Sequence, residues 1–270
     1  MNFRSQNDFT KVSYKRRGKA KKQPLAIVKD CSVFNVDSNI RRINEAKTEL
    51  QSTDFFQSVS ALLKEGLQQL NDPEIRKIIC FGLGRISELM VPRYQLALLL
   101  CLKALFNVEV LVTDPMFNNN DLSLLKHFEI GWLERNIEGK FKVDTLETYL
   151  FYLPHCPKQL MNNLLWCNWG LRLSKCIIIG NSINKVVEDN SKRVLKKSAK
   201  YINNISPNVL ELGIVNSFTY FDVFNDTSIH CFPIDKLNLL TNEFWDDCEE
   251  PEYSDSDMEI IRNSLNKLEF

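Results

Sequence analysis

Residues 77–84 read KIICFGLG and residues 108–115 read VEVLVTDP. Each is a short apolar run that stops at glycine or at Asp-Pro, the pattern of a buried strand running into a turn. Between them, residues 94–106 are almost entirely apolar and too long for a strand, so they read as a buried helix. Neither strand alternates polar with apolar residues. Such strands need both faces covered, which predicts parallel pairing with helical crossovers.

Working outward, the same grammar recurs. Residues 148–153 (TYLFYL) form a strand ending in Pro154-His155-Cys156-Pro157, and residues 175–179 (KCIII) form one ending in Gly180-Asn181-Ser182. Weaker strands are expected at 130–133 and 228–232, the latter after an Asn225-Asp226 turn, with helices at 121–127, around Leu160 to Leu165, and over 191–205. Upstream, Ile40, Ile43, Ala46 and Leu50 make one helical stripe, and Phe55, Val59, Leu62, Leu63 and Leu67 another, with Ser52, Thr53 or Asp54 as the intervening cap. The predicted class is α/β: a Rossmann-like, mostly parallel sheet flanked by helices, with N-terminal helices and charged disordered tails. The expected organisation is a basic tail at 1–36, N-terminal helices at 37–74, the Rossmann-like domain at 75–235 and an acidic tail at 236–270.

Composition narrows the function classes. Over 270 residues, 44% hydrophobic and 25% charged side chains match ordinary soluble globular usage. A formal net charge of zero argues against a dedicated nucleic-acid binder, which would carry a basic excess. The balance conceals polar ends. The run KRRGKAKK at 15–22 suits a nuclear-localisation signal or a nucleic-acid contact, with a solvated tail as the plainer alternative, whereas Glu243, Asp246, Asp247, Glu249, Glu250, Glu252, Asp255, Asp257 and Glu259 succeed one another without Lys or Arg. These tails are where protein partners are expected. No apolar run follows the first basic residue, and the apolar stretch at 96–106 is short of the roughly 20 residues a membrane span needs. The expectation is a cytoplasmic protein, also nuclear if the basic run is read, with no membrane contact.

The 8 cysteines include no CxxC pair and the 3 histidines are far apart, so no metal site is expected. Cys80, Cys101 and Cys176 fall within apolar runs and read as core residues in a reducing compartment.

In open parallel sheets, ligands bind beyond the carboxyl ends of the strands, which makes the strand-end turns the candidate site. Gly82 and Gly84 offer backbone N–H groups that a phosphate or carboxylate could approach. A full dinucleotide fingerprint would need glycine at position 87, where Ser87 stands, so a tight turn without ligand is the alternative. Asp114 ends the second strand, where an acid can hold ribose hydroxyls, although it lies farther from Gly84 than the usual spacing of about 20 residues, and Pro115 also suits a simple turn. His155, stiffened by flanking prolines, titrates near neutrality and is the first candidate for a general acid, base or ligand contact, against a hydrogen-bonded structural role. Cys156 would act as a nucleophile only as a stabilised thiolate, and Cys156-Pro157 resembles the short Cys-Pro haem-regulatory motif, with chance occurrence of the dipeptide as the alternative. Asn181 and Ser182 can bind a ligand or cap the next helix.

Taken in order, Phe81-Gly82-Leu83-Gly84, Gln95 to Leu99, Asp114-Pro115, Phe151 to Pro157, Asn168-Trp169, Ile179-Gly180-Asn181-Ser182 and Phe224 to Ser228 resemble the SRR family, named for the plant phenotype of reduced sensitivity to red light, in its animal or fungal SRR-like form. The resemblance spans roughly residues 75–232 and implies regulation. Plant members are linked to light input and the circadian clock, and relatives elsewhere to clock-gene expression and haem biosynthesis, with no defined reaction.

Three readings follow. The first is a regulator that binds a small ligand (a nucleotide, S-adenosylmethionine or haem) at Gly82, Gly84, Asp114, His155, Cys156, Asn181 and Ser182. The second is an S-adenosylmethionine- or nucleotide-dependent enzyme with His155 as general acid or base, disfavoured because no second titrating group pairs with it in the sequence. The third is a non-catalytic scaffold that recruits partners through its charged tails.

Overall fold

The computed structural model describes residues 34–253 and Ile261. The basic run at 15–22 lies outside the described residues. Two helices come first, α1 (Val36–Gln51) and α2 (Asp54–Gln68), and the second is capped by Thr53, whose hydroxyl accepts the Phe56 N–H. The β-α alternation then runs β1 (Ile75–Phe81), α3 (Met90–Phe106), β2 (Glu109–Thr113), α4 (Asn119–His127), β3 (Gly131–Trp132), β4 (Thr148–Leu153), α5 (Lys158–Cys167) and β5 (Cys176–Asn181). After it come α6 (Ile183–Asp189), α7 (Lys192–Ser198), α8 (Lys200–Ile205), β6 (Leu210–Gly213), β7 (Thr227–Cys231), α9 (Ile234–Leu237) and α10 (Asn242–Asp246).

Among the described residues, seven strands form one sheet in the order β3-β2-β1-β4-β5-β7-β6. β1 to β5 pair in parallel, and β7 is antiparallel to both β5 and β6. The Rossmann-like, mostly parallel sheet expected from the strand grammar is therefore present, with an antiparallel edge. Helices α1 to α4 share a core with Ile78, Cys80, Val110, Leu150 and Ile177 on one face, while α5, α7 and α8 share the other with Ile79, Phe151, Leu153 and Ile178. The crossover from β1 to β2 thus packs on one face and that from β4 to β5 on the opposite face. Between β1 and β4 the turns diverge, and this is the switch point of the sheet.

Local sequence accounts for most boundaries. Pro92 fits in the first turn of α3, where its missing N–H costs nothing, and Asn107 ends the helix with a left-handed φ of 52°. From Tyr94 to Leu102 every residue of α3 is buried, because α1 covers the side turned away from the sheet. The helix expected over 191–205 is two helices. Ala199 breaks it with φ −152°, and the Asn162 side chain on α5 accepts the Tyr201 N–H at 2.8 Å, capping α8 from another element. Strand β6 and helix α6 have no counterpart in the sequence reading, since both are short and carry little periodicity.

The acidic end differs from the disorder expected of it as far as Tyr253. Phe244 and Trp245 pack on Trp169 with ring centroids 5.3 and 5.1 Å apart, and the Trp166 indole donates to the Cys248 carbonyl at 2.9 Å. Asp247 pairs with Lys200, and Glu250 with Lys140. The buried Tyr253 hydroxyl accepts from Asn162 Nδ2 at 2.9 Å and donates to Asn163 Oδ1 at 2.7 Å. Aromatic groups interleaved with the acids supply apolar burial that charge alone could not. Because Tyr253→Phe leaves two buried amides short of a partner, it should lower unfolding free energy by about 1–3 kcal/mol in urea titration. The exposed pair of Asp247 should be worth under about 1 kcal/mol, so Asp247→Ala gives the smaller effect.

Candidate functional site

The turn after β1 needs glycine at two places: Gly82 has φ +70° and Gly84 φ +73°. Its amides point inward. Gly82 N–H donates to the Thr113 carbonyl at 3.2 Å, and Gly84 N–H donates to Asp114 Oδ2 at 2.6 Å. The other Asp114 oxygen accepts Met116 N–H at 2.7 Å. Asp121 repeats the device, accepting the amides of Ser87 at 2.8 Å and Asn118 at 3.0 Å. A carboxylate therefore holds the Gly84 amide expected to meet a phosphate, and the acid expected to hold ribose ties the loop of β1 to that of β2. Ser87, where the fingerprint has glycine, is fixed the same way.

At the end of β4, His155 is exposed, has φ +50°, and places Nε2 2.9 Å from the Val223 carbonyl. A carbonyl only accepts, so Nε2 carries the proton, and Nδ1 has no partner among the described residues. Cys156 points the other way. Its thiol is buried, sits 3.1 Å from the Phe81 carbonyl and is pushed up by burial and then by the charge of Asp114. A buried, hydrogen-bonded thiol of this kind suits neither nucleophile nor haem ligand. It fills the switch point instead: a Cβ on Gly82 would lie 2.5 Å from its sulfur.

Asn181 closes the junction by donating to the Cys156 carbonyl at 2.9 Å. Ser182 caps α6, accepting the Lys185 N–H at 3.0 Å while its hydroxyl donates to Glu211. Glu211, on β6, also accepts the Asn184 N–H at 2.9 Å. The fully buried His230 completes this support: Nδ1 donates to the Ile178 carbonyl at 3.1 Å, Nε2 accepts the Ile183 N–H at 3.3 Å, and Glu211 lies 3.7 Å from Nε2. Burial holds the imidazole below its ordinary range, against the opposing pull of Glu211.

The candidates do not share one pocket. Gly82 and Asp114 line a recess of about 150 Å³ with Phe81, Met116, Asn136 and Leu160, at the switch point. His155, Asn181 and Ser182 line another of about 210 Å³ with Lys185, Asp189 and Asp226. Gly84 lines neither. Both recesses fall below the roughly 300 Å³ at which ligand pockets usually begin, so a whole nucleotide or a haem requires local opening. The sequence reading missed Lys185, Asp189 and Glu211. Asp226, read only as a turn, reaches the site because antiparallel β7 starts at the edge where β5 ends. Asp226 has φ +54°, accepts the Ser182 N–H at its carbonyl at 2.9 Å and pairs with Lys185 Nζ at 2.8 Å.

Gly82→Ala combines a left-handed alanine with overlap on Cys156, and should cost roughly 2–4 kcal/mol in urea unfolding. Adding Cys156→Ala should return the steric part and leave the backbone part. His230 supplies a pH test. Its folded pKa lies below the unfolded value near 6.5, so the unfolded chain binds the proton first and stability declines as pH falls below about 6.5. In His230→Gln, melting temperature should depend less on pH between that point and the folded pKa.

Comparison with known proteins places this architecture. The model of the SRR1 domain matches residues 48–231, which takes in α2 and all strands to the end of β7. An SRR1-like protein of Drosophila melanogaster is 29% identical over 237 residues, covering 87% of this chain and 83% of that protein. An SRR1-like protein of Mus musculus is 30% identical over 207 residues, covering 64% and 83%. Protein SENSITIVITY TO RED LIGHT REDUCED 1 of Arabidopsis thaliana is 29% identical over 195 residues, covering 62% and 66%. Among solved structures, the plantazolicin methyltransferase BamL, crystallised with a triazolic desmethylPZN analog and SAH, covers 73% of this chain and 97% of its own with TM-score 0.34 and 12% identity, a likeness too distant to carry chemistry. With the model matched over most of its length and relatives in fly, mouse and plant, the chain belongs to the SRR1 domain family.

Proposed function

We propose that this chain is a regulatory protein that acts by binding a small polar ligand in the recess between the ends of β4 and β5 and the turn before β7. One observation carries the reading: His155 and Asp226, both with left-handed backbones, line the same recess. A non-glycine residue held there costs on the order of 1–3 kcal/mol, and such strain gathers at ligand clamps. His155 Nδ1 and the Asp189 carboxylate supply hydrogen-bond acceptors, and Lys185 supplies a donor. Lys185 is held protonated by Asp226.

The regulatory half of the proposal rests on the family, whose plant relative is named for reduced sensitivity to red light. That name supports a role in light- or clock-linked signalling, and the basic run at 15–22, read as a nuclear address, is what supports a cytoplasmic and nuclear location. Asp189 and Asp226 place two carboxylates beside Lys185 in this recess, which favours a ligand without phosphate, such as a nucleoside or S-adenosylmethionine, over a dinucleotide. His155 bonds a backbone carbonyl instead of a second titrating group, which supports binding above catalysis.

Thermal-shift and calorimetric screening of the full chain against nucleosides, nucleotides, S-adenosylmethionine and haem should find a stabilising ligand. His155→Ala and Asp226→Ala should each weaken it about tenfold, near 1.4 kcal/mol. Unchanged affinity in both variants, or no ligand at all, would overturn the proposal.

A further inference from the structure

His230 and Glu211 form a buried pair behind the start of α6, and the partners of the ring fix its protonation state. Nδ1 faces the Ile178 carbonyl at 3.1 Å, which only accepts, and Nε2 faces the Ile183 N–H at 3.3 Å, which only donates. The imidazole is therefore neutral, with its proton on Nδ1. Glu211 Oε2 lies 3.7 Å from Nε2, too far for a hydrogen bond, and accepts the Asn184 N–H at 2.9 Å instead. Ile183 and Asn184 are the first two residues of α6, whose amides have no acceptor within the helix. One ring nitrogen and one carboxylate oxygen supply both.

Glu211 is the charged group that faces the ring among the described residues. β5 and α6 present backbone to it, and α2 packs on the opposite face of β7, where Gly66 meets Cys231. The ammonium groups of Lys185 and Lys200 are turned to Asp226 and Asp247. A proton on Nε2 would set two N–H donors against each other, with Glu211 as the nearest acceptor. Burial holds the ring neutral until the pH falls below its ordinary value near 6.5.

We propose that His230, Glu211 and the start of α6 form a pH-sensitive clasp. Proton uptake at Nε2 draws Glu211 to the ring, leaves the Ile183 and Asn184 amides without acceptors, and loosens α6, the wall of the recess that carries Lys185 and Asp189. Above the transition the clasp is closed. The device belongs to the protein without ligand, so it stands or falls apart from the ligand proposed for that recess.

The test follows the full chain by NMR from about pH 7.5 to about pH 5, reading the His230 ring shift and amide-exchange protection. As His230 protonates, protection of Ile183 and Asn184 should fall at least about tenfold further than that of Ile178 and Ile179 in β5. In His230→Gln that difference should be absent. Glu211→Gln keeps an oxygen for the Asn184 N–H but lacks the charge that favours protonation of the ring, so the transition should move to lower pH. A ring that stays neutral to about pH 5, or an equal fall in β5 and α6, overturns the proposal. A difference that persists in His230→Gln overturns it too. If His230→Gln does not fold, Glu211→Gln decides, and an unmoved transition there counts against the clasp.

Discussion

The contact between Gly82 and Cys156 is the constraint around which the strand-end region is organised. β1 and β4 pair side by side while their crossovers leave for opposite faces, so their turns must pass at close range. Only a residue without Cβ fits beside the Cys156 sulfur at this point. The thiol, bonded to the Phe81 carbonyl, then plugs the crevice that an open α/β sheet usually offers to ligands. The strand-end edge carries two small recesses instead of one cleft.

Most polar groups at this edge are engaged within the protein. Asp114 and Asp121 tie amides of the loops after β1 and β2, and Glu211 with His230 supports the start of α6. Buried donors and acceptors left unpaired would be costly, so these groups hold the loops in one geometry. The left-handed residues His155 and Asp226 are engaged as well, with the Val223 carbonyl and with Ser182 and Lys185, and His155 Nδ1 is the ring nitrogen left without a partner among the described residues. The acidic end adds a further layer, using Trp166, Tyr201 and the amides of α5 as its seat.

The sheet was legible because its strands are short, apolar and punctuated. KIICF and TYLFYL are buried on both faces and VEVLVT from Val110 on is at least half-buried, which leaves parallel pairing under helices as their only economical arrangement. The long helices were legible from their stripes. Short elements were not: β6 is four residues with no fully buried member, and the break at Ala199 depends on Asn162 from another helix. The acidic end misled because its charge obscured the aromatic residues Phe244, Trp245 and Tyr253, whose partners lie some 75 to 90 residues upstream.

Sequence alone determined which turns gather at one edge of the sheet, since strand direction alternates with crossover helices and each strand ends in Gly, Asp-Pro or Pro-His. It also marked Gly82, Gly84, Asp114, His155, Cys156, Asn181 and Ser182 as the polar or flexible groups there. Tertiary structure decided what those groups do. Asp114 became a tie for Gly84, Cys156 a plug and Ser182 a cap, while Asp226 entered the site through an antiparallel strand whose direction no local pattern encodes. The reason is physical. Propensity and periodicity are set by neighbours in the chain, whereas a hydrogen-bond partner or a left-handed backbone at His155 is set by groups that only the packed fold brings together.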